Sequence, residues 1–180
     1  MAITRLNNNS ITSVTALPSG VDTGKVGQVL STKITGFPST NAQPWVDISG
    51  FSVSITPTST SSKVYVTANL FYGNTVQASN NFFKLLRDST DINISDALDS
   101  NRRSGGGLRL NQGGQDVGTV YPIVMSVLDS PSTTSATTYK VQWGHNAGTG
   151  YLNRPGVQPN TGDLGAPTGV STLTVMEILA

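Results

Sequence analysis

FSVSITPTSTSSKVYVTANLFY, residues 51–72, is the stretch whose reading decides the fold. Phe51, Val53 and Ile55 alternate with Ser52 and Ser54. After a polar interruption, Val64, Val66, Ala68 and Leu70 alternate with Tyr65, Thr67, Asn69 and Phe71. Successive side chains of a strand point to opposite faces, so this period of two predicts β-strands. Pro57 cannot donate to a ladder, and Thr56–Ser62 is rich in turn-forming hydroxyls, so the segment divides into two strands joined by a short loop. The second strand carries apolar groups on both sides, with Tyr65 and Phe71 opposite the aliphatic row. A strand that is apolar on both sides needs cover on both sides. A second sheet supplies one cover, and a partner subunit is the candidate for the other.

The totals agree with a β-rich chain. Of 180 residues only 12% are charged, against about 25% in ordinary domains. Ser, Thr, Asn and Gly carry the polarity instead, which suits short strands and turns. The length fits one domain with an arm, long enough to bury a core. A net charge of +1 argues against a nucleic-acid surface, which needs a marked basic excess. With no cysteine, disulfides, thiolate chemistry and thiolate metal sites are excluded. MAITRLNNNSITSV at the N-terminus lacks the basic and apolar regions of a secretion signal. No apolar run approaches the roughly 18–20 residues that span a bilayer. Work outside the cell of origin would therefore follow assembly and lysis, or a route that the sequence does not display.

Outward from the central stretch, residues 1–27 read as an arm, with Ile3, Leu6, Ile11 and Val14 recurring through a hydroxyl- and amide-rich segment. Strands are expected at 28–34, at 45–48 and 51–55 with a kink or bulge at Gly50, and at 63–72 before a Gly73–Asn74 turn. Further strands are expected at 82–88, near 92–98, near 107–110, and at 119–128 with Pro122 at an edge or bulge. Residues 138–144 place Tyr139, Val141 and Trp143 on one face. Residues 145–169 read as a long Gly- and Pro-rich excursion, and 171–179 as a closing strand tied into a sheet. Eight or so strands and no convincing helix predict an all-β fold, an antiparallel two-sheet β-sandwich of the jelly-roll kind over 28–180, preceded by the arm at 1–27.

Candidate chemistry is sparse. His145, the lone histidine, reads as a polar loop residue beside a strand end, because it has no nucleophile to serve and cannot build a multi-histidine metal site. Asp88, Asp91, Asp96 and Asp99 lie close together but miss the calcium-loop spacing, and Asp99 with Arg102 or Arg103 reads as a surface ion pair. The glycine clusters at 105–107 and 113–114 do not open a helix after a strand, so they are not phosphate cradles. No carboxylate pair suits glycoside hydrolysis, which leaves a depolymerase the weakest reading. The sequons at Asn8 and Asn93 read as chance matches. No enzyme activity, metal or cofactor is expected. Trp143, Tyr151, Asn153 and Arg154 are the candidate glycan contacts: rings stack on sugar faces, amides and guanidinium groups bond hydroxyls, and long loops carry such sites. Against this, the strand phase of Trp143 suits core, and Tyr151 can pack beneath the loop.

The chain also resembles a family of small tail-fibre-like or virion-surface proteins of marine and freshwater bacteriophages, especially those of cyanobacteria. The likeness is carried by MAITRLNNNSI (1–11), SGVDTGKVGQVL (19–30), FSVSITPTSTSSKVYV (51–66), LDSPSTTSATTYKVQ (128–142), YLNR (151–154) and STLTVMEI (171–178). None of these is a catalytic signature, and residues 73–120 match least. The resemblance implies a tumour-necrosis-factor-like β-sandwich head that forms a homotrimer and is mounted on the virion by its N-terminal arm. A closed trimer would bury Tyr65 and Phe71 near its axis. On this reading the protein is a tail-fibre or fibre-tip component assembled in the host cytoplasm. Its partners are itself, other virion proteins through the arm and, where its loops reach, a host glycan, with no nucleic acid or membrane insertion. Capsid decoration is the alternative, and a free carbohydrate-binding module is the alternative of a different class.

Overall fold

The computed structural model describes residues 25–43, 45–95, 106–109, 117–157 and 167–179. Every regular element among them is a strand: β1 (Val26–Ile34), β2 (Ser39–Thr40), β3 (Val46–Ile55), β4 (Lys63–Asn74), β5 (Asn80–Arg87), β6 (Thr90–Asp91), β7 (Gly106–Arg109), β8 (Tyr121–Asp129), β9 (Thr137–His145), β10 (Gly150–Leu152) and β11 (Ser171–Ile178). The arm residues Ile3, Leu6, Ile11 and Val14 lie outside the described residues, as do Asp96, Asp99, Arg102 and Arg103.

Two antiparallel sheets form a sandwich. In the first, β4 is bonded on one side to β8 over Val64–Tyr72. On its other side it is bonded to β11 over Lys63–Asn69 and then to β10 over Tyr72–Asn74. Beyond β11 lies β1, and beyond β10 lies β2. The second sheet runs β3, β9, β5, with β7 and β6 pairing successive parts of β5. If β1, β3, β4, β5, β7, β8, β9 and β11 are lettered A to H, the sheets read A-H-C-F and B-G-D-E. That is the strand order of the tumour-necrosis-factor-like jelly roll.

The period-two pattern works as a sorting rule. The inward row of β4 (Val64, Val66, Ala68, Leu70, Tyr72) is buried, as are Leu173 and Val175 on β11 and Met125 on β8. They meet Phe51, Val53, Ile55, Phe83, Leu85, Tyr139, Val141 and Trp143 of the second sheet in one core. Each fully buried large side chain contributes roughly 1.5–3 kcal/mol of transfer free energy. Gly50 has φ +71°, a conformation that favours glycine, and the β3–β9 register shifts between Asp47 and Ser52. That is the expected bulge. Pro122 sits on β8, which forms an edge of the first sheet, opposite Phe71.

Three boundaries differ from the sequence expectation. β4 continues through Gly73 and Asn74, because β10 pairs with them and the turn falls later. β2 and β10 lie in segments expected to be loops, and their two or three residues are too few to show a period. Within 92–98, the described residues 92–95 are irregular, and the short strand is Thr90–Asp91.

Polar side chains tie the sheets and loops together. Arg87 on β5 bonds both carboxylate oxygens of Asp129 on β8, at 2.8 and 2.9 Å. Tyr139 on β9 donates its hydroxyl to Asp129 Oδ2 at 2.7 Å. This cluster crosses between the sheets. Glu177, the seventh residue of β11, is buried. Its Oε1 accepts the Thr58 amide (2.6 Å) and hydroxyl (2.7 Å), and its Oε2 accepts Gln28 Nε2 (2.8 Å). These bonds pin the β3–β4 loop and the start of β1 to β11. Burial pushes the Glu177 carboxyl up, but the Thr58 amide, the Gln28 amide and the Thr58 hydroxyl pull it further down, to about 2.

A depressed folded-state value means that the carboxylate stabilises the fold above its ordinary value of 4.5, and that this is lost as pH falls toward about 2. Thermal melts across that window should show a falling Tm for the unaltered chain and a flatter profile for Glu177→Gln. At neutral pH the variant should be less stable by about 1–3 kcal/mol, the cost of losing bonds to a buried charge.

Candidate functional site

The two ends of the sandwich differ. At one end β1 begins, beside the last residues of β11 and the first of β4: Val26 pairs with Ile178, and Ile178 with Lys63. The opposite end gathers the termini of β4, β9 and β10 with the loops 75–79 and 146–149. Here the polar groups are mostly neutral and mutually bonded. Tyr72 donates its hydroxyl to Asn81 Oδ1 (2.6 Å), and Asn74 Nδ2 donates to Tyr72 Oη and Asn81 Oδ1 (2.9 Å each). A Cβ at Gly156 would collide with the Asn74 carbonyl, so only glycine lets that loop seat so closely. Buried amides with full partners give this end a defined shape.

His145 belongs to this end and is not the polar loop residue beside a strand end that the sequence suggests. It is the last residue of β9 and is buried, with Nε2 lacking a protein partner. Burial lowers its pKa, against a smaller raising effect from a hydrogen bond to the Gly148 backbone. Burial at the strand end thus favours the neutral form of the ring.

The four candidate glycan contacts do not form one surface. Trp143 lies on β9 in the second sheet, 3% exposed, with its ring edge-on to Tyr72 at 6.4 Å. Asn153 follows β10, fully buried at φ +63°. Its Nδ2 donates to the carbonyls of Ile34 (2.7 Å) and Gly36 (2.8 Å), and its Oδ1 accepts Ser171 Oγ (2.7 Å). Its backbone bonds Phe71 O and Gly169 N. Asparagine tolerates the left-handed region better than most residues; its side-chain amide here ties the end of β1 to β11, and its backbone N–H ties this segment to β4.

Tyr151 and Arg154 are brought together. Gly150 and Leu152 are buried, so alternation turns the half-buried Tyr151 to the outer side of the first sheet. The Arg154 guanidinium lies 4.1 Å from the centre of its ring, a cation–π contact. Arg154 Nε also donates to Pro155 O at 3.1 Å. The segment 154–156 crosses over Gly73, where a Cβ would strike its backbone. The two candidate interface residues, Tyr65 and Phe71, both point outward from β4. Tyr65 is the more exposed, while Phe71 is half-buried and packs closely against Gly169.

The described residues hold no group of three or more metal-ligating side chains and no helix long and apolar enough to cross a membrane. Of the aspartate cluster, Asp91 pairs with Lys84 at 2.8 Å, and Asp88, at φ +52°, bonds Thr138 N through Oδ1 in a turn.

No family model matches the chain, and no curated protein does. Among solved structures it is similar to T=1 particles derived from infectious bursal virus, at TM-score 0.39 and 18% identity, covering 86% of this chain and 37% of that one. A structure of the infectious bursal disease virus Gt strain aligns at TM-score 0.37 and 15% identity, covering 98% and 56%. The chain thus spans 37% of the first of these chains and 56% of the second. The fold assignment rests on the strand order within this chain, and these likenesses carry no functional argument.

Asn153→Ala should lower unfolding stability by about 3 kcal/mol, because it removes three side-chain bonds of a buried residue and strains the left-handed backbone. Asn153→Gly, which relieves the strain but still loses the bonds, should fall between. Denaturant melts of the three proteins check both the size and the order.

Proposed function

We propose that this chain is a non-enzymatic structural protein of a bacteriophage virion: the head of a tail fibre or fibre tip, docked by its N-terminal segment and self-associating as a homotrimer. The observation that carries this reading is the polarity of the head. The first described strand, β1, begins at Val26, at the end where Val26, Ile178 and Lys63 meet. The loops around Gly148, Tyr151 and Arg154 cluster at the other end of β4. That strand is 12 residues long, about 40 Å at roughly 3.3 Å per residue. An attachment segment at one end and rigidly braced loops at the other suit a part that is held by one side and presents the other. Tyr65 and Phe71, outward on the central strand, are the proposed trimer contacts. Capsid decoration would use the same polarity and remains the second placement.

Host contact is assigned to the loop end. Tyr151 with its stacked Arg154 is the aromatic and cationic pair there, and it is the most direct candidate for a glycan. The resemblance to phage virion-surface proteins supports the reading independently of the geometry.

Two outcomes test it. Mass spectrometry of purified particles should find the full chain, and a chain lacking residues 1–24, which keeps every described strand, should fold yet fail to incorporate. A truncated chain that still joins particles overturns the docking assignment. On a glycan array, binding by the intact protein should fall at least tenfold with Tyr151→Ala; an array without signal removes the glycan role and leaves the structural one.

A further inference from the structure

The imidazole of His145, the one histidine of the chain, ends the inward row of β9 after Tyr139, Val141 and Trp143. It is 1% exposed, and its Nε2 has no protein partner. The hydrogen bond to the Gly148 backbone therefore falls to Nδ1. A neutral ring suits this place, because an unpaired nitrogen lone pair costs far less to bury than a charge. An imidazolium does not suit it. Both nitrogens then carry protons, and the one on Nε2 is buried facing no acceptor.

Nothing on the described elements around the ring compensates such a charge. The segments 40–43, 74–81 and 146–149 contain no acidic or basic residue. Opposite His145 on β5 stands Asn81. The titratable groups of this end are Tyr72, bonded to Asn81, and Tyr121, which pairs with Tyr72 on β8. Both are phenols, which are uncharged in acid. On β5, Lys84 pairs with Asp91 on the outer side of the second sheet, and on β9 Lys140 pairs with Asp47 there. Arg154, after β10, is stacked on Tyr151. β7 brings a further cation, Arg109, to the position paired with Asn80. The Arg87–Asp129 pair and Asp88 lie toward the other end of β9, beside Tyr139 and Thr138.

We infer that His145 is an acid-operated latch on the loop end: protonation of its ring releases the 146–149 loop while the sandwich stays folded. The ties of this loop are all neutral. Asn146 N donates to Asn80 O (3.1 Å), and Asn80 N to Asn146 Oδ1 (2.7 Å). Gln43 Nε2 donates to Asn146 O (2.5 Å), and Asn74 Nδ2 to Ala147 O (3.2 Å). Thr75 N donates to Thr149 O (3.1 Å), and Thr149 N to Thr75 Oγ1 (2.9 Å). The side-chain bonds of Gln43 and Asn146 are exposed, so water replaces them at small net cost. Taking Trp143, Val141 and Tyr139 out of the core costs far more, which makes opening local. Gly148, at φ +78°, sits so close to Asn74 and Val76 that a Cβ would strike both side chains. Release of the loop therefore also uncovers 74–76. Thr149 runs directly into Gly150 and Tyr151, so acid reshapes the side of the molecule that carries Tyr151, whatever Tyr151 binds.

The sign follows from linkage. Burial holds the ring below the ordinary imidazole value of 6.5 in the closed form, and water returns it to that value in the open form. The closed form is fully favoured above 6.5. As pH falls below 6.5, the open-to-closed ratio rises by up to about tenfold per pH unit, until the value of the closed form is passed. The Glu177 tie is lost only below 4.5, so the window from 6.5 to 4.5 belongs to the histidine.

The test is an NMR titration of the full-length protein across that window. With one histidine in the chain, the imidazole Cε1–H signal is unambiguous. It should still report a neutral ring at pH 6.5, where a free imidazole is half protonated. On further acidification the ring should charge in step with faster exchange of the Asn80, Asn146 and Thr149 amides, corrected for the intrinsic rate. The amides of Val66 and Val141 should stay protected. His145→Gln should keep the loop closed through the same range; if that variant does not fold, the titration of the unaltered chain decides alone. A ring that charges while the loop amides do not move overturns the inference. So does a ring that stays neutral over a closed loop down to pH 4.5, and so does loss of protection in Val66 and Val141 together with the loop, which is global unfolding. The readout needs neither particle nor glycan, so its failure leaves the virion reading standing.

Discussion

The inward row of β4 is the constraint on which the rest depends. Val64, Val66, Ala68, Leu70 and Tyr72 must leave water together, and a strand can bury one row only by presenting the other outward. β4 is hydrogen-bonded along both edges, to β8 on one side and to β11 and β10 on the other. Its backbone is thus satisfied within the first sheet, and its inward row is satisfied by the second. What remains is the outward row, and its composition sets what this side of the sandwich can do. Lys63, Tyr65, Thr67, Asn69 and Phe71 are neither a fully solvated face nor a core. This intermediate character is what a surface needs if it is to be soluble alone and dry in an assembly.

Around that strand the polar side chains do two kinds of work. Near the point where the described chain begins, Glu177 and the Arg87–Asp129–Tyr139 cluster use charge to hold loops and sheets in place. At the loop end, neutral amides do so: Asn74, Asn81 and Asn153, with Tyr72. A charged tie is strong but answers to acid, because protonation removes it. An amide tie keeps its bonds at any ordinary pH. The loop end therefore keeps its shape by groups that stay uncharged near neutral pH: amides, the Tyr72 hydroxyl, whose pKa burial raises, and His145, whose buried ring favours the neutral form.

Much of the architecture is legible in the residues. The alternation at 51–55 and 63–72 locates two strands and the face each buries. Gly50 marks its bulge and Pro122 its edge strand, because one supplies a positive φ and the other lacks a donor. The core position of Trp143 follows from its phase with Tyr139 and Val141. Less legible is Asn153. In sequence it looks like a loop amide free for a ligand, whereas its bonds go to Ile34, Gly36 and Ser171, which lie far away along the chain. β2 and β10 escape for a related reason: two or three residues have no period, and their pairing is set by neighbours. Val29, Leu128 and Met176 read as ordinary strand aliphatics until the register aligns them with Tyr65.

The sequence by itself determined the class of the molecule: all-β, two-layered, poor in charge, without the side chains for thiolate chemistry, and carrying an aromatic, half-apolar second face on its central strand. Those properties follow from composition and from the period of two, which are local. Only the tertiary structure decided the A-H-C-F and B-G-D-E order, the opposition of the start of β1 to the loop end, and the joining of outward apolar side chains from four strands into one rank. These are matters of register between segments far apart in the chain, such as those that pair Val26 with Ile178. A chain's local alternation says which side of a strand is apolar; which strands lie beside it is settled by the packing of the whole.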